Sequence, residues 1–276
     1  MEERADDTNG MLAQVPRPPV CLIPFRHTKV VHLIRHAEGF HNVAGALGTE
    51  NYASEDYFDA HLTKKGWAQV AMLQSHIKAL PNFRADVVMV SPMTRTLETA
   101  SGVFGSKGNG PTLMKSQTEE EGFRTEMCEI SADGVPPFVA MELCRELSGL
   151  HPCDRRRPVN HYKDRFPSVD FSLVASEADP LWEPTHREEI SSIHSRARQF
   201  LDFLAKRPES HIAVVSHSAF LRNMCRMLGD GLGEHPKTQL HSYFVNCELR
   251  TVTLIHERGH PDTSCPFSFR PPQKPV

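Results

Sequence analysis

The chain has 276 residues, 39% of them hydrophobic and 24% charged, and a formal net charge of −3. That length allows one large α/β domain or two small ones, and the slight negative charge gives no global field to recruit nucleic acid or an acidic membrane surface. No apolar run reaches the length of a membrane span, so a cytoplasmic protein with no membrane partner is expected. Seven cysteines are scattered without a C-x-x-C pair, which reads as free thiols in a reducing compartment. Sixteen histidines are many, and the pairs His32/His36 and His36/His41 invite a metal. His32 and His36, however, lie four apart along a predicted strand, and no Asp/Glu/His set has a metal-ligand spacing. Neither a metal nor a cofactor is expected.

Residues 1–27 open with acidic MEERADD, and Pro16, Pro18 and Pro19 break their apolar stretch. An irregular arm is predicted there, and the breaks argue against a cleavable signal peptide. Val30–Ile34 is an apolar run suited to a buried strand, followed at once by Arg35 and His36. Gly39 breaks the pattern, and Asn42 is placed to start or cap a helix. Residues 43–61 predict a short helix and a loop. Thr63 then reads as an N-cap. Trp67, Val70, Leu73, Ile77 and Leu80 recur at helical spacing until Pro81. Asp86–Val90 predicts a buried strand ended by Ser91-Pro92, and Thr94–Val103 a helix. This strand–helix rhythm implies right-handed βαβ units and a parallel sheet.

Residues 104–137 interrupt the rhythm with Gly105, Gly108, Gly110 and Pro111, acidic Glu119-Glu120-Glu121, then Gly134, Pro136 and Pro137. They predict a long surface insertion, partly mobile, with the acidic run a solvated face. Val139–Glu146 returns to order. Residues 149–187, rich in Pro and aromatics, predict a second insertion of the kind that folds over a site. Glu188–Ala205 is an amphipathic helix, His211–Val215 a buried strand ending on Ser216-His217-Ser218, and Phe220–Leu228 a helix. Ser242–Asn246 and Arg250–His256 are expected to close the sheet. A Pro-rich tail runs from Gly259.

Three predicted strands therefore end on residues that handle phosphate. The first ends on Arg35-His36. The second ends on Ser91-Pro92, with Arg95 one turn into the next helix, and a later one on Ser216-His217-Ser218. In a parallel sheet these ends share one edge, where ligands of open α/β sheets bind. Two guanidiniums and two imidazoles would surround one pocket, with the N–H groups of a helix start beside them.

RHAEGFHN resembles the R-H-G signature of the histidine phosphatase superfamily, also called phosphoglycerate mutase-like. LTKKGWAQV resembles its L-T-x-x-G-x-x-Q-A, SPMTRTLETA its S-P-x-x-R-x-x-Q-T-A, LCREL its acid-bearing segment, and VVSHSAFLR its V-x-H-x-x-x-x-R. HPCDRRRPVNHYKDRFPSVDFS is similar more narrowly to the phosphoglycerate mutase-like proteins of plants and fungi. Ala37, Gly39 and Glu98 depart from the pattern, where Gly, often Ser, and Gln stand. Gly39 removes one phosphate-binding hydroxyl. The resemblance implies a three-layer α/β sandwich with one mostly parallel sheet. It places the domain at 28–258 with the two insertions over the active site, and the tail at 259–276.

Arg35 and Arg95 can neutralise a phosphomonoester dianion with planar donor forks, and a neutral His36 can attack in line to form phosphohistidine. Neighbouring Arg charge favours that neutral form. His217 would bond the transferring phosphoryl oxygens. Asn42 and Ser218 are further substrate-binding candidates. The leaving group needs an acid. Glu146 of LCREL fits the resemblance, and Glu142, on the same face if the stretch is helical, is the alternative. In the run Arg155-Arg156-Arg157, Arg155 and Arg156 are candidates for a second acidic group of the substrate, with a solvated basic turn as the other reading. The function expected is metal-independent hydrolysis of a small soluble phosphomonoester. A mutase passing phosphate between substrate hydroxyls is the alternative, and a non-catalytic phosphate-binding protein the third. Substrate choice is assigned to the two insertions, and no oligomeric state is assigned.

Overall fold

A computed structural model describes residues 28–108, 110–115 and 129–255. Six strands form the central sheet: β1 (Thr28–Arg35), β2 (Val87–Val90), β5 (Phe138–Ala140), β6 (Val169–Asp170), β7 (His211–Ser216) and β8 (Leu249–Ile255). Their spatial order is β6-β5-β2-β7-β1-β8. All neighbours pair in parallel except β8, which runs antiparallel to β1. Two short strands, β3 (Thr112–Met114) and β4 (Ile130–Ser131), form a separate antiparallel pair.

Every residue of β2 is fully buried, as expected for a parallel strand covered on both faces. Successive side chains alternate between the faces. Val88 and Val90 of β2, with Ala213 and Val215 of β7, join one core. It is covered by α2 (Lys64–Ala79), α3 (Thr94–Phe104) and α4 (Val159–Arg165) through Trp67, Val70, Leu97, Ala100 and Tyr162. Val87, Met89, Ile212 and Val214 join the other core. There α5 (Ile190–Lys206) and α6 (Ser218–Arg226) supply Ile193, Phe200, Phe220 and Leu221. The result is the expected three-layer sandwich. Each such aliphatic side chain contributes about 1.5–3 kcal/mol on burial. The remaining helices are α1 (Phe40–Leu47) and α7 (Glu234–His241).

Thr63 does cap α2, its hydroxyl accepting from Gly66 N at 2.9 Å. Gly66 is required by space: a Cβ there would lie 2.2 Å from the Glu38 carbonyl oxygen. Helix α2 thus packs directly against the loop that carries His36.

Three expectations are corrected, and one helix has no counterpart among the predicted elements. Ser242–Asn246 is not a strand; it is an irregular loop whose carbonyls serve neighbouring side chains. Helix α7 was not foreseen, being polar and carrying Pro236 in its first turn, where no N–H partner is needed. Inside 104–137, β3 and β4 form a paired ribbon rather than loop alone, while the acidic run Glu119–Glu121 lies outside the described residues. The second insertion, expected to fold over a site, contributes to the framework. Its β6 extends the sheet beside β5, and its α4 packs on the core. The 1–27 arm and the 259–276 tail lie outside the described residues. Among the described residues no helix is long and apolar enough to cross a membrane.

Candidate active site

The parallel register brings the strand ends together. Arg35 at the end of β1 lies opposite Ser216 of β7, and Val90 of β2 lies opposite Val215. The chain continues that alignment past the strands, since His36 N donates to Ser216 O at 2.9 Å and Ser91 N to Val215 O at 3.1 Å. His36 and His217 consequently face each other with ring centroids 5.2 Å apart. Arg95 enters from the first turn of α3. The four residues predicted to converge do so: His36, 3% exposed, Arg95, 1%, and His217, 0%, lie deep in the molecule, and Arg35 is half-buried beside them.

His36 Nδ1 sits 2.7 Å from the Ala37 carbonyl oxygen. A carbonyl only accepts, so Nδ1 carries the proton, and in the neutral ring Nε2 holds the free lone pair. Burial, then the charges of Arg95 and Arg35, hold the His36 imidazole well below its ordinary pKa. The ring is therefore neutral at pH 7. His217 Nε2 pairs with the Ser91 hydroxyl at 2.8 Å, while its Nδ1 is buried without a partner. Burial and Arg95 depress its pKa in the same direction.

Both guanidiniums are anchored and both keep donors in reserve. Arg35 Nη1 donates to Phe244 O at 2.8 Å. Arg95 Nη1 donates to Cys153 O at 2.5 Å and Nη2 to Asp154 at 2.8 Å. The Nε of each is buried and unpartnered. Two of the five N–H donors of Arg95 are thus committed to the protein, so its fork is less free than the sequence implies. The start of α3 is itself fixed by Asp59, which accepts from Thr94 N at 2.9 Å and from the Thr94 hydroxyl at 2.6 Å. Asp59 holds a left-handed φ of 45°, costly for a non-glycine residue, and Tyr162 of α4 donates to it at 2.8 Å.

Glu142 and Glu146 do not share a helical face. A single 3-10 turn covers Glu142–Cys144, and the chain is extended at Arg145. Main-chain and side-chain bonds hold the segment against the sheet: Met141 N to Val90 O at 2.9 Å, and the Ser216 hydroxyl to Cys144 O at 2.6 Å. Glu142 turns into ion pairs with Arg145 and Arg156. Glu146 turns to the start of α6 and accepts from Ala219 N and Phe220 N, each at 3.1 Å. Those helix-start N–H groups, expected beside a phosphate, are occupied by this carboxylate. Burial and then the neighbouring Asp154 raise the Glu146 pKa, against the pull of the backbone donors.

Other candidates are placed differently from their reading. Arg156, read as a substrate contact or a solvated turn, is instead turned into the protein. At 2% exposure it donates to Glu142 at 2.6 Å and to the carbonyls of Ser176, Glu177, Ala178 and Arg157. Arg155 pairs with Glu55 at 2.6 Å and lies over the rings of Phe58 and Trp182, at 4.3 and 4.7 Å from their centroids. The Ser218 hydroxyl points to Phe244 O at 3.2 Å, the carbonyl that also anchors Arg35. Asn42 is the third residue of α1, at the helix start as expected, and its side chain closes a capping box on Gly39. Its Oδ1 accepts from Gly39 N at 3.0 Å and from Asn246 Nδ2 at 3.1 Å, which leaves its own NH₂ over. Glu98, the departure from Gln, is explained by charge. It accepts from Leu62 N at 2.8 Å and meets His61 at 2.8 Å and Arg165 at 2.5 Å, so a neutral amide would leave Arg165 uncompensated.

Two residues went unread in the sequence. Asp154 bridges Arg95 and Arg187, at 2.8 and 2.7 Å, and so ties the second insertion to the Arg/His cluster. Asn246 donates to His36 O at 3.3 Å and to Asn42, bracing the end of β1. Neither sits in a pattern that marks it. Burial pushes the Cys144 and Cys225 thiols up to about 12, which leaves them protonated. Among the described residues no three His, Cys, Asp or Glu side chains are grouped to hold a metal.

Fold and site together define an α/β sandwich with an Arg/His cluster at the C-terminal edge of a parallel sheet. A family model, the histidine phosphatase superfamily (branch 1), matches residues 31–122 and 169–263. A phosphoglycerate mutase-like protein of Arabidopsis thaliana is 42% identical over 242 residues, covering 87% of this chain and 89% of that protein. Phosphoglycerate mutase-like protein 2 of the same plant is 39% identical over 271 residues, with 87% and 78% covered. The chain belongs to the histidine phosphatase superfamily. Arg35, His36, Arg95 and His217 fall within the matched residues, whereas Glu146, Asp154 and the Arg155–Arg157 run fall in the unmatched stretch between them.

Proposed function

We propose that this chain hydrolyses a small soluble phosphomonoester through a phosphohistidine on His36. The observation that carries the reading is the fixed tautomer of His36: Nδ1 donates to Ala37 O at 2.7 Å, so the lone pair of Nε2 is available beside two guanidiniums. The unpartnered Nε groups of Arg35 and Arg95 supply donors to the phosphoryl oxygens. With the Ser91 hydroxyl donating to Nε2 of His217, the neutral ring carries its proton on Nδ1, a further donor. His36 Nε2 attacks phosphorus as the bond to the leaving oxygen breaks. Glu146, whose pKa is raised by burial and by Asp154, gives its proton to that oxygen. Water then attacks the phosphohistidine, losing a proton to Glu146. The N–P bond breaks, and phosphate leaves with His36 neutral again. Positive charge comes from the Arg pair, so no metal is invoked.

The test is a panel of phosphomonoesters assayed for released phosphate with a chelator present. Turnover of at least one ester, lost in His36→Ala, supports the reading. Turnover that collapses with the chelator and returns with a divalent ion contradicts it.

A mutase is the second reading, favoured by the near-complete burial of His36, since a mutase must keep water from its phosphohistidine. Assay with 3-phosphoglycerate and a bisphosphoglycerate primer separates the two, because a mutase forms the isomer and a phosphatase releases phosphate.

A further inference from the structure

His41 is a third imidazole in this pocket and has no part in the scheme above. Its ring centroid lies 5.4 Å from that of His36, it is 4% exposed, and its Nδ1 is buried with no hydrogen-bond partner. Burial, then the charges of Arg95 and Arg35, hold it well below its ordinary pKa. Both clamp guanidiniums therefore act on this ring as they act on His36.

Its placement accounts for Gly39. The backbone there has φ −101° and ψ 164°, a conformation any residue adopts. A Cβ at Gly39, however, would lie 2.8 Å from both Nδ1 and Cε1 of His41. The Nδ1 edge of the imidazole thus fills the space into which a side chain at position 39 would project. A short hydroxyl-bearing residue at 39 would put its oxygen in the same place.

A buried, unpartnered ring nitrogen is costly to keep. The neighbouring guanidiniums oppose a proton on the whole ring, so a neutral ring is favoured. A neutral imidazole can place its one N–H on Nδ1 and meet an oxygen-rich anion drawn in by those same guanidiniums. We propose that His41 is a phosphoryl-binding residue that donates Nδ1–H to a non-bridging oxygen of the group held by Arg35 and Arg95. The inference rests on the proposed function only in taking phosphate as the bound group.

The test measures orthophosphate affinity by calorimetry, and kcat/KM on p-nitrophenyl phosphate, for the full chain and for two variants. His41→Phe keeps ring bulk and removes the donor. It should weaken phosphate binding roughly tenfold or more with a melting temperature no lower than the parent's. Gly39→Ser in His41→Ala offers a hydroxyl in the vacated space. It should bind phosphate several-fold better than His41→Ala alone. Phosphate affinity in His41→Phe equal to that of the parent overturns the proposal. So does a double variant no better than His41→Ala, which covers the case of a Phe variant that fails to fold. If the parent binds phosphate and turns over no ester while His41→Phe loses binding, the phosphatase reading fails and His41 keeps its role.

Discussion

Replacing Arg95 by Lys keeps the charge and removes the geometry. Arg95 spends Nη1 on Cys153 O and Nη2 on Asp154, and holds Nε in reserve. A lysine ammonium radiates its donors from one atom and cannot meet both anchors while also facing a phosphoryl group. Losing one donor that acts in the transition state lowers kcat/KM by roughly 10²-fold, about 2.7 kcal/mol. Losing one hydrogen bond at a buried charged group costs about 1.5–3 kcal/mol of stability. Asp154 keeps Arg187 at 2.7 Å, so the second insertion stays attached. The melting temperature should fall by roughly 5 °C. The assay is kcat/KM on p-nitrophenyl phosphate beside a thermal melt. Turnover within about threefold of the parent, with the melt lowered, would make Arg95 a structural residue and refute the clamp.

Acidification should destabilise the fold from about pH 6.5 downward, the ordinary range of histidine. His36, His41 and His217 stay neutral when folded, while the unfolded chain takes up their protons, so stability falls as pH falls. Glu98, Asp179 and Glu188, held below the usual carboxylate range, add the same sign at lower pH; Glu146, held above it, pulls the other way. Unfolding free energies from urea melts in phosphate-free buffer should drop between pH 7.5 and 5.5 by at least about 1 kcal/mol, and a flat profile contradicts the buried neutral rings. Arg156→Met should strip Glu142 of one of its two arginine partners and cost about 1.5–3 kcal/mol of stability with KM within about twofold; a raised KM with unchanged stability would make Arg156 a substrate contact. Glu146→Gln should slow esters with poor leaving groups far more than p-nitrophenyl phosphate, whose leaving group needs no proton, and equal slowing of both would remove Glu146 as the acid.

The legible part of this protein was the part that is local in sequence. Val87–Val90 reads as a buried strand because four apolar residues in a row have no other placement in a sheet covered on both faces. Arg35, His36 and His217 read as site residues because each directly follows such a run, and parallel pairing aligns the ends. What stayed hidden depends on which way a loop folds back. Three arginines in succession carry no mark of which turns inward. Only the folded chain shows Arg156 enclosed by Glu142 and four carbonyls, with Arg155 stacked on Phe58 and Trp182. Asp154 and Asn246 reach the site from loops far along the chain. The shared helical face supposed for Glu142 and Glu146 failed because bonds to Val90 and Ser216 hold that segment extended against the sheet.

Trapping the covalent intermediate tests the central claim most directly. The protein is mixed briefly with a ³²P-labelled phosphomonoester, quenched in alkali and mapped by proteolysis. Attack by His36 Nε2 predicts label on the peptide containing His36, lost in acid and kept in alkali as a phosphoramidate. Glu146→Gln should hold more of it with a substrate whose leaving group needs no proton, because the second step still needs a base. His36→Ala should take up none while remaining folded. Full labelling of His36→Ala, or label on another residue of the parent, would contradict His36 as the nucleophile.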